Sequence, residues 1–80
     1  MGNIEDRVLG IISRQLGVEK DRLTRDKAFI KDLAADTLDH VKLIMAIEDE
    51  FGMCILDDDV EQINTVGELV DYVNSEVEPR

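Results

Sequence analysis

Ile4, Val8, Ile12 and Leu16 recur every four residues, with Ile11 beside them. That spacing puts them on one stripe of a helix running from about Asn3 to Leu16. A single stripe of this kind cannot be buried alone, so the chain must supply other helices to close against it. Asn3 is suited to cap the helix and Gly17 to end it. A second helix is predicted over Thr37 to Phe51, stopping at Gly52. A last one opens at Thr65, where Thr65-Val66-Gly67-Glu68 has the capping-box pattern of a threonine followed three residues later by a glutamate. Val66, Leu69, Val70, Val73 and Val77 line its buried face, and Pro79 marks the tail.

The connections follow from what these stripes leave over. From Val18 to Ala35 charged residues outnumber apolar ones and no helical period persists, which reads as a long loop with room for one short helical turn. Loops of this length in small domains need anchors, and Leu23, Phe29, Ile30 and Leu33 are the candidates, with Phe29 plugging the core. Asp57 is placed to cap a brief third helix ending near Gln62, with Ile55, Val60 and Ile63 facing inward. The expected fold is therefore all-α: one domain, residues 1–80, built as a small four-helix bundle of three longer helices and one short one. Its core should join Ile4, Val8, Ile12, Leu43, Ile47, Phe51, Leu69 and Val73.

Eighty residues leave little beyond what folding requires, so a deep enzyme pocket is not expected. Nineteen acids against nine basic side chains give a net charge of -10, which disfavours nucleic acid and anionic membranes and favours basic protein partners. The same repulsion predicts stabilisation by salt or divalent cations, with Asp57, Asp59 and Glu61 as the expected cation contacts. Cys54, the sole cysteine, excludes an internal disulfide; a reactive thiol can be written down, but free cysteines are more often inert and buried, which is the expectation here. The opening Met1-Gly2-Asn3-Ile4-Glu5-Asp6 has no basic region leading into an apolar run, and no long apolar segment follows. These readings together suggest a cytoplasmic monomer with no stable membrane insertion.

Chemistry concentrates at Asp36-Thr37-Leu38-Asp39, where the long loop gives way to the second helix. Asp36 is the expected N-cap and Asp39 the acid three residues on, so the two can satisfy the free amides that open the helix. Thr37 then stands in the first turn with its hydroxyl near solvent. The helix that follows is apolar on two sides. Leu43, Ile47 and Phe51 form one face, while Leu38, Val41 and Met45 form another, which is either core or a surface for a partner.

Two other constellations can be written down. Asp36, Thr37 and His40 share a helix, as an orienting acid, a nucleophile and a base would, but one exposed helix offers no oxyanion donors or substrate pocket. His40 is read instead as a surface residue pairing loosely with Asp36. Acids at Asp57, Asp59, Glu61 and Glu68 occupy the first, third, fifth and twelfth positions of a calcium loop, yet Gln62 stands where the turn requires glycine. No metal site is assigned.

The chain resembles the acyl carrier proteins along nearly its whole length. The resemblance runs through Ile4-Glu5-Asp6-Arg7-Val8, Leu16-Gly17-Val18, Phe29-Ile30-Lys31-Asp32-Leu33, Ala34-Ala35-Asp36-Thr37-Leu38-Asp39, Ala46-Ile47-Glu48-Asp49-Glu50-Phe51 and Thr65-Val66. It implies a carrier and not a catalyst: a transferase attaches phosphopantetheine to a hydroxyl, and the arm holds acyl intermediates as thioesters in fatty acid or related biosynthesis. The attachment position is Thr37, where the family has serine, flanked by Asp36, Leu38 and Asp39. The implied partners are a phosphopantetheinyl transferase and acyl-processing enzymes with basic surfaces, recognised through Leu38, Val41, Met45 and Glu48. Phe29, Leu43, Ala46, Ile47, Ile55, Ile63 and Leu69 would wall an acyl-accepting cavity, or else form an ordinary packed core. Lys42 departs from the family, which commonly has an acid there. The alternative is a carrier-derived interaction module that stays unmodified.

Overall fold

A computed structural model describes residues 3–77. Among these residues four α-helices appear in chain order: α1 over Ile4–Leu16, α2 over Thr37–Phe51, α3 over Asp57–Gln62 and α4 over Val66–Val77. Pro79 lies outside the described residues. The expected bundle of three longer helices and one short one is what forms, with α1 packed against both α2 and α4. Among the described residues, no helix is long and apolar enough to cross a membrane.

Local chemistry sets the helix ends. Asn3 accepts a hydrogen bond from the Asp6 amide at 2.7 Å, capping α1. Gly17 and Gly52 adopt left-handed φ values of 67° and 61°, and each donates its amide back into the helix it ends. Thr65 and Glu68 form the anticipated reciprocal pair. The Glu68 amide donates to Thr65 Oγ1 at 3.2 Å, and the Thr65 amide donates to Glu68 Oε1 at 3.1 Å. The short helix starts differently from the sequence expectation. Leu56, not Asp57, is its N-cap, and no side chain caps it. Asp57, Asp58 and Asp59 fill the first turn, where their charges complement the helix dipole.

The core is close to the predicted one. Ile4, Val8, Ile12, Leu43, Ile47, Leu69 and Val73 are all buried. Phe51 is the correction: it is only half-buried, at the last turn of α2, and the Arg7 guanidinium lies 4.6 Å from its ring centroid. Arg7 also pairs with Glu50 at 2.8 Å, so an amphipathic arginine covers this end of the α1–α2 contact, over a Phe51 that still packs against the core. Ile44 joins the core unannounced. It lies next to Leu43 and three residues before Ile47, so the buried face of α2 is wider than a strict four-residue stripe.

The long connection is pinned from both sides. Its short turn is a 3₁₀ segment over Lys20–Arg22, followed by buried Leu23. Phe29 is 1% exposed, while its neighbour Ile30 is 62% exposed and anchors nothing, contrary to expectation. Leu33 packs half-buried against the core, and Ala35 is buried. The backbone is tied to the start of α4 by a bridge between Ala28 and Thr65, with the Phe29 amide donating to the Asn64 carbonyl at 3.0 Å. The Val66 and Gly67 amides, free because they open a helix, donate to the Lys27 and Arg25 carbonyls at 3.0 and 2.9 Å.

Truncating a fully buried α2 residue tests this packing. Ile47→Ala should lower unfolding free energy by about 2–5 kcal/mol in urea titrations. A change within error of zero would show that Ile47 is outside the core.

Candidate functional site

The start of α2 is fixed by its own side chains. Asp36 is extended (φ -88°, ψ -177°), its Oδ1 accepts from the Asp39 amide at 2.8 Å, and its amide donates to Asp39 Oδ2 at 3.4 Å. Both acids read from the sequence as helix-start residues are thus held in one reciprocal cap. Thr37, the first helical residue, is exposed.

The turn leading into this cap is tightly wound. The Ala28 amide donates to Asp32 Oδ2 at 2.8 Å, the Asp32 and Leu33 amides return to the Ala28 carbonyl, and the Ala35 amide donates to the Phe29 carbonyl at 2.9 Å. To close this turn, Ala34 takes a positive φ of 58°, a conformation that crowds any Cβ. The strain sits two residues before Asp36, so it sets the direction in which the cap is delivered.

Beside Thr37 lies an open cleft of ≈ 450 Å³ between the Ala28–Lys31 segment, α2 and the end of α3. Phe29, Val41, Val60 and Ile63 give it an apolar lining, and Thr37, His40, Lys31 and Glu61 also reach it. This is not the cavity expected from the sequence. Of the residues expected to wall one, Phe29 and Ile63 face the cleft, whereas Leu43, Ile47 and Leu69 have no exposure and fill a packed core.

Leu38, Val41 and Met45 are exposed at 60%, 45% and 58%. They are a solvent-facing apolar strip on the outside of α2, a few residues beyond Thr37. Glu48 stands at the inner edge of the same face. Its Oε2 accepts from the Ile55 amide at 2.8 Å, tying the chain after α2 back onto the helix.

His40 behaves differently from the expectation. It is half-buried, with its ring centroid 5.4 Å from that of Phe29 and tilted by 52°. Asp36 spends its carboxylate on the Asp39 amide, so the two residues go to separate partners and do not pair. The aromatic contact wins because His40 lies on the flank of α2 that faces the anchored loop.

The acidic stretch after α2 forms helix and caps, not a calcium loop. Asp57–Gln62 is helical, and Glu68 accepts from the Asn64 and Thr65 amides. Asp59 accepts from the Tyr72 hydroxyl at 2.8 Å; burial, this hydrogen bond and the nearby carboxylate charge push the phenol up to about 12. Asp57, Asp59 and Glu61 therefore do not gather around a common point, and among the described residues no three potential ligands do. Cys54, expected to be buried, is exposed.

Two outcomes follow from these local features. Ala34→Gly should raise stability by about 1 kcal/mol in denaturant titrations, because glycine relieves the positive φ; an unchanged or lower midpoint would show that the turn is not strained. Monovalent salt should raise the thermal midpoint by screening the net charge of -10. Magnesium at matched ionic strength should add nothing further, and an extra rise would reveal a specific cation site.

An exposed hydroxyl at a rigidly capped helix start, next to an apolar cleft and an apolar outer face, suits a residue that other proteins must reach. It fits a covalently attached arm, because the side chain is open to solvent on its free side and none of the described residues closes over it. The model of one protein family, described as the phosphopantetheine attachment site, matches residues 6–73, which is most of the chain and includes every residue of this site. Domains of this family carry phosphopantetheine and are not themselves catalysts. The chain belongs to the phosphopantetheine attachment family.

Proposed function

We propose that this protein is an acyl carrier of fatty acid or related biosynthesis whose attachment residue is Thr37. The observation that carries the reading is the placement of the Thr37 hydroxyl: exposed, in the first turn of α2, at the edge of the ≈ 450 Å³ apolar cleft. When bound, phosphopantetheine supplies a terminal thiol that holds acyl groups as thioesters. The chain's own part is to present the hydroxyl and to hold the helix still. The reciprocal Asp36–Asp39 cap does the second, and it leaves two carboxylates near any phosphate on Thr37, which keeps that phosphate from being bound tightly at the helix start. Leu38, Val41 and Met45 offer partner enzymes an apolar footing, and the net charge of -10 draws basic surfaces toward it from a distance. A cytoplasmic location accords with the exposed single thiol at Cys54.

A second reading, an interaction module that stays unmodified, draws on the chemistry of threonine. Its hydroxyl is secondary and its β-branch stiffens the first side-chain torsion, both of which hinder entry into a transferase active site.

One substitution separates the two. With a broadly acting phosphopantetheinyl transferase and coenzyme A, Thr37→Ser should be modified at least about tenfold faster than the threonine chain, equivalent to ~1.4 kcal/mol of barrier. Thr37→Ala should stay unmodified. Equal rates for threonine and serine would show that the methyl group is no obstacle, and an unmodified serine variant would favour the interaction module.

A further inference from the structure

The charges on α2 are not equally available to a partner. Asp39 is held in the cap with Asp36, Glu48 accepts from the Ile55 amide at 2.8 Å, and Glu50 pairs with Arg7 at 2.8 Å. Three of the helix's four acids are thus turned toward donors within the chain, leaving Asp49. Lys42 is exposed and makes no ion pair among the described residues. It follows Val41 directly, lies four residues after Leu38 and three before Met45, and so stands within the exposed apolar strip. In a chain of net charge -10, the cation nearest the centre of the outward α2 face is this lysine.

We propose that Lys42 is a specificity-determining residue of the docking face. It selects enzymes that place a carboxylate opposite it, beside an apolar recess for Leu38, Val41 and Met45, and it handicaps enzymes that place a cation there. This deepens, and rests on, the carrier reading. Two ranges of electrostatics are involved. The overall negative charge steers basic partners over about one Debye length, roughly 8–10 Å in ordinary buffer. At contact, solvent is expelled and the local sign matters more, so a like charge against Lys42 costs affinity that steering does not recover. A partner must therefore be basic around its rim and acidic at one point inside it.

The test uses the full chain carrying Thr37→Ser, with Lys42 kept, changed to methionine or changed to glutamate, and a transferase whose carrier-contacting surface is basic. KM for coenzyme A-dependent modification and Kd for the transferase complex are measured at low and high salt. At low salt, K42E should lower both constants roughly fivefold with kcat unchanged, and K42M should fall between. The differences should shrink as salt rises. Replacing the transferase's contacting basic residues one at a time by glutamate should produce one variant that reverses the order, favouring Lys42 over K42E. Equal KM and Kd across the three chains at low salt, with modification intact, would overturn the role of Lys42 while leaving the carrier reading standing. Absence of modification in all three chains, with each folded by circular dichroism, would overturn both.

Discussion

Phe29 is the residue on which the arrangement of the site depends. Its ring is buried in the bundle, its amide is bonded to the Asn64 carbonyl ahead of α4, and its carbonyl receives the Ala35 amide ahead of α2. One residue thus joins the core, the start of α4 and the entry to α2. The loop around it has few other buried groups, so the entropy of ordering eighteen residues between Val18 and Ala35 is offset at a small number of points. His40 packs its ring on Phe29, which couples the first turn of α2 to the same anchor.

The start of α2 combines stiffness with openness. The Asp36–Asp39 cap and the Ala34 turn hold the backbone, while Thr37 itself is exposed. A carrier needs both properties: partner enzymes recognise a fixed helix, and the attached group must move away from it. The positive φ at Ala34 is a local cost accepted where the chain has to change direction within two residues of the cap.

Helix α2 also divides its apolar residues between two uses. Leu43, Ile44 and Ile47 are buried and hold the bundle together, while Leu38, Val41 and Met45 face water. Burying a side chain of this size would contribute roughly 1.5–3 kcal/mol, so leaving three exposed in so small a domain forgoes a sizeable stabilisation. The proposed docking face rests on their clustering beside Thr37 and not on their exposure alone.

The number and type of the helices, and the caps of all but the short α3, were legible in the sequence because they rest on local physics: four-residue apolar spacing, the Asp36 and Thr65 caps, and glycines at 17 and 52. So was the place of Thr37 in the first turn of α2, since it lies one residue after an N-cap. What the sequence left open depended on neighbours distant in the chain. Ile30 and Phe29 are adjacent apolar residues in an irregular loop, and only the closing of α4 against that loop decided which one turns inward. Phe51 had the spacing of a core residue but lies where Arg7 covers the bundle's end. His40 was assigned to Asp36 by helical spacing, and tertiary packing gave it to Phe29. Whether Leu38, Val41 and Met45 were core or surface was likewise undecidable from periodicity, because a helix pattern shows that two apolar faces exist but not how many neighbouring helices there are to cover them.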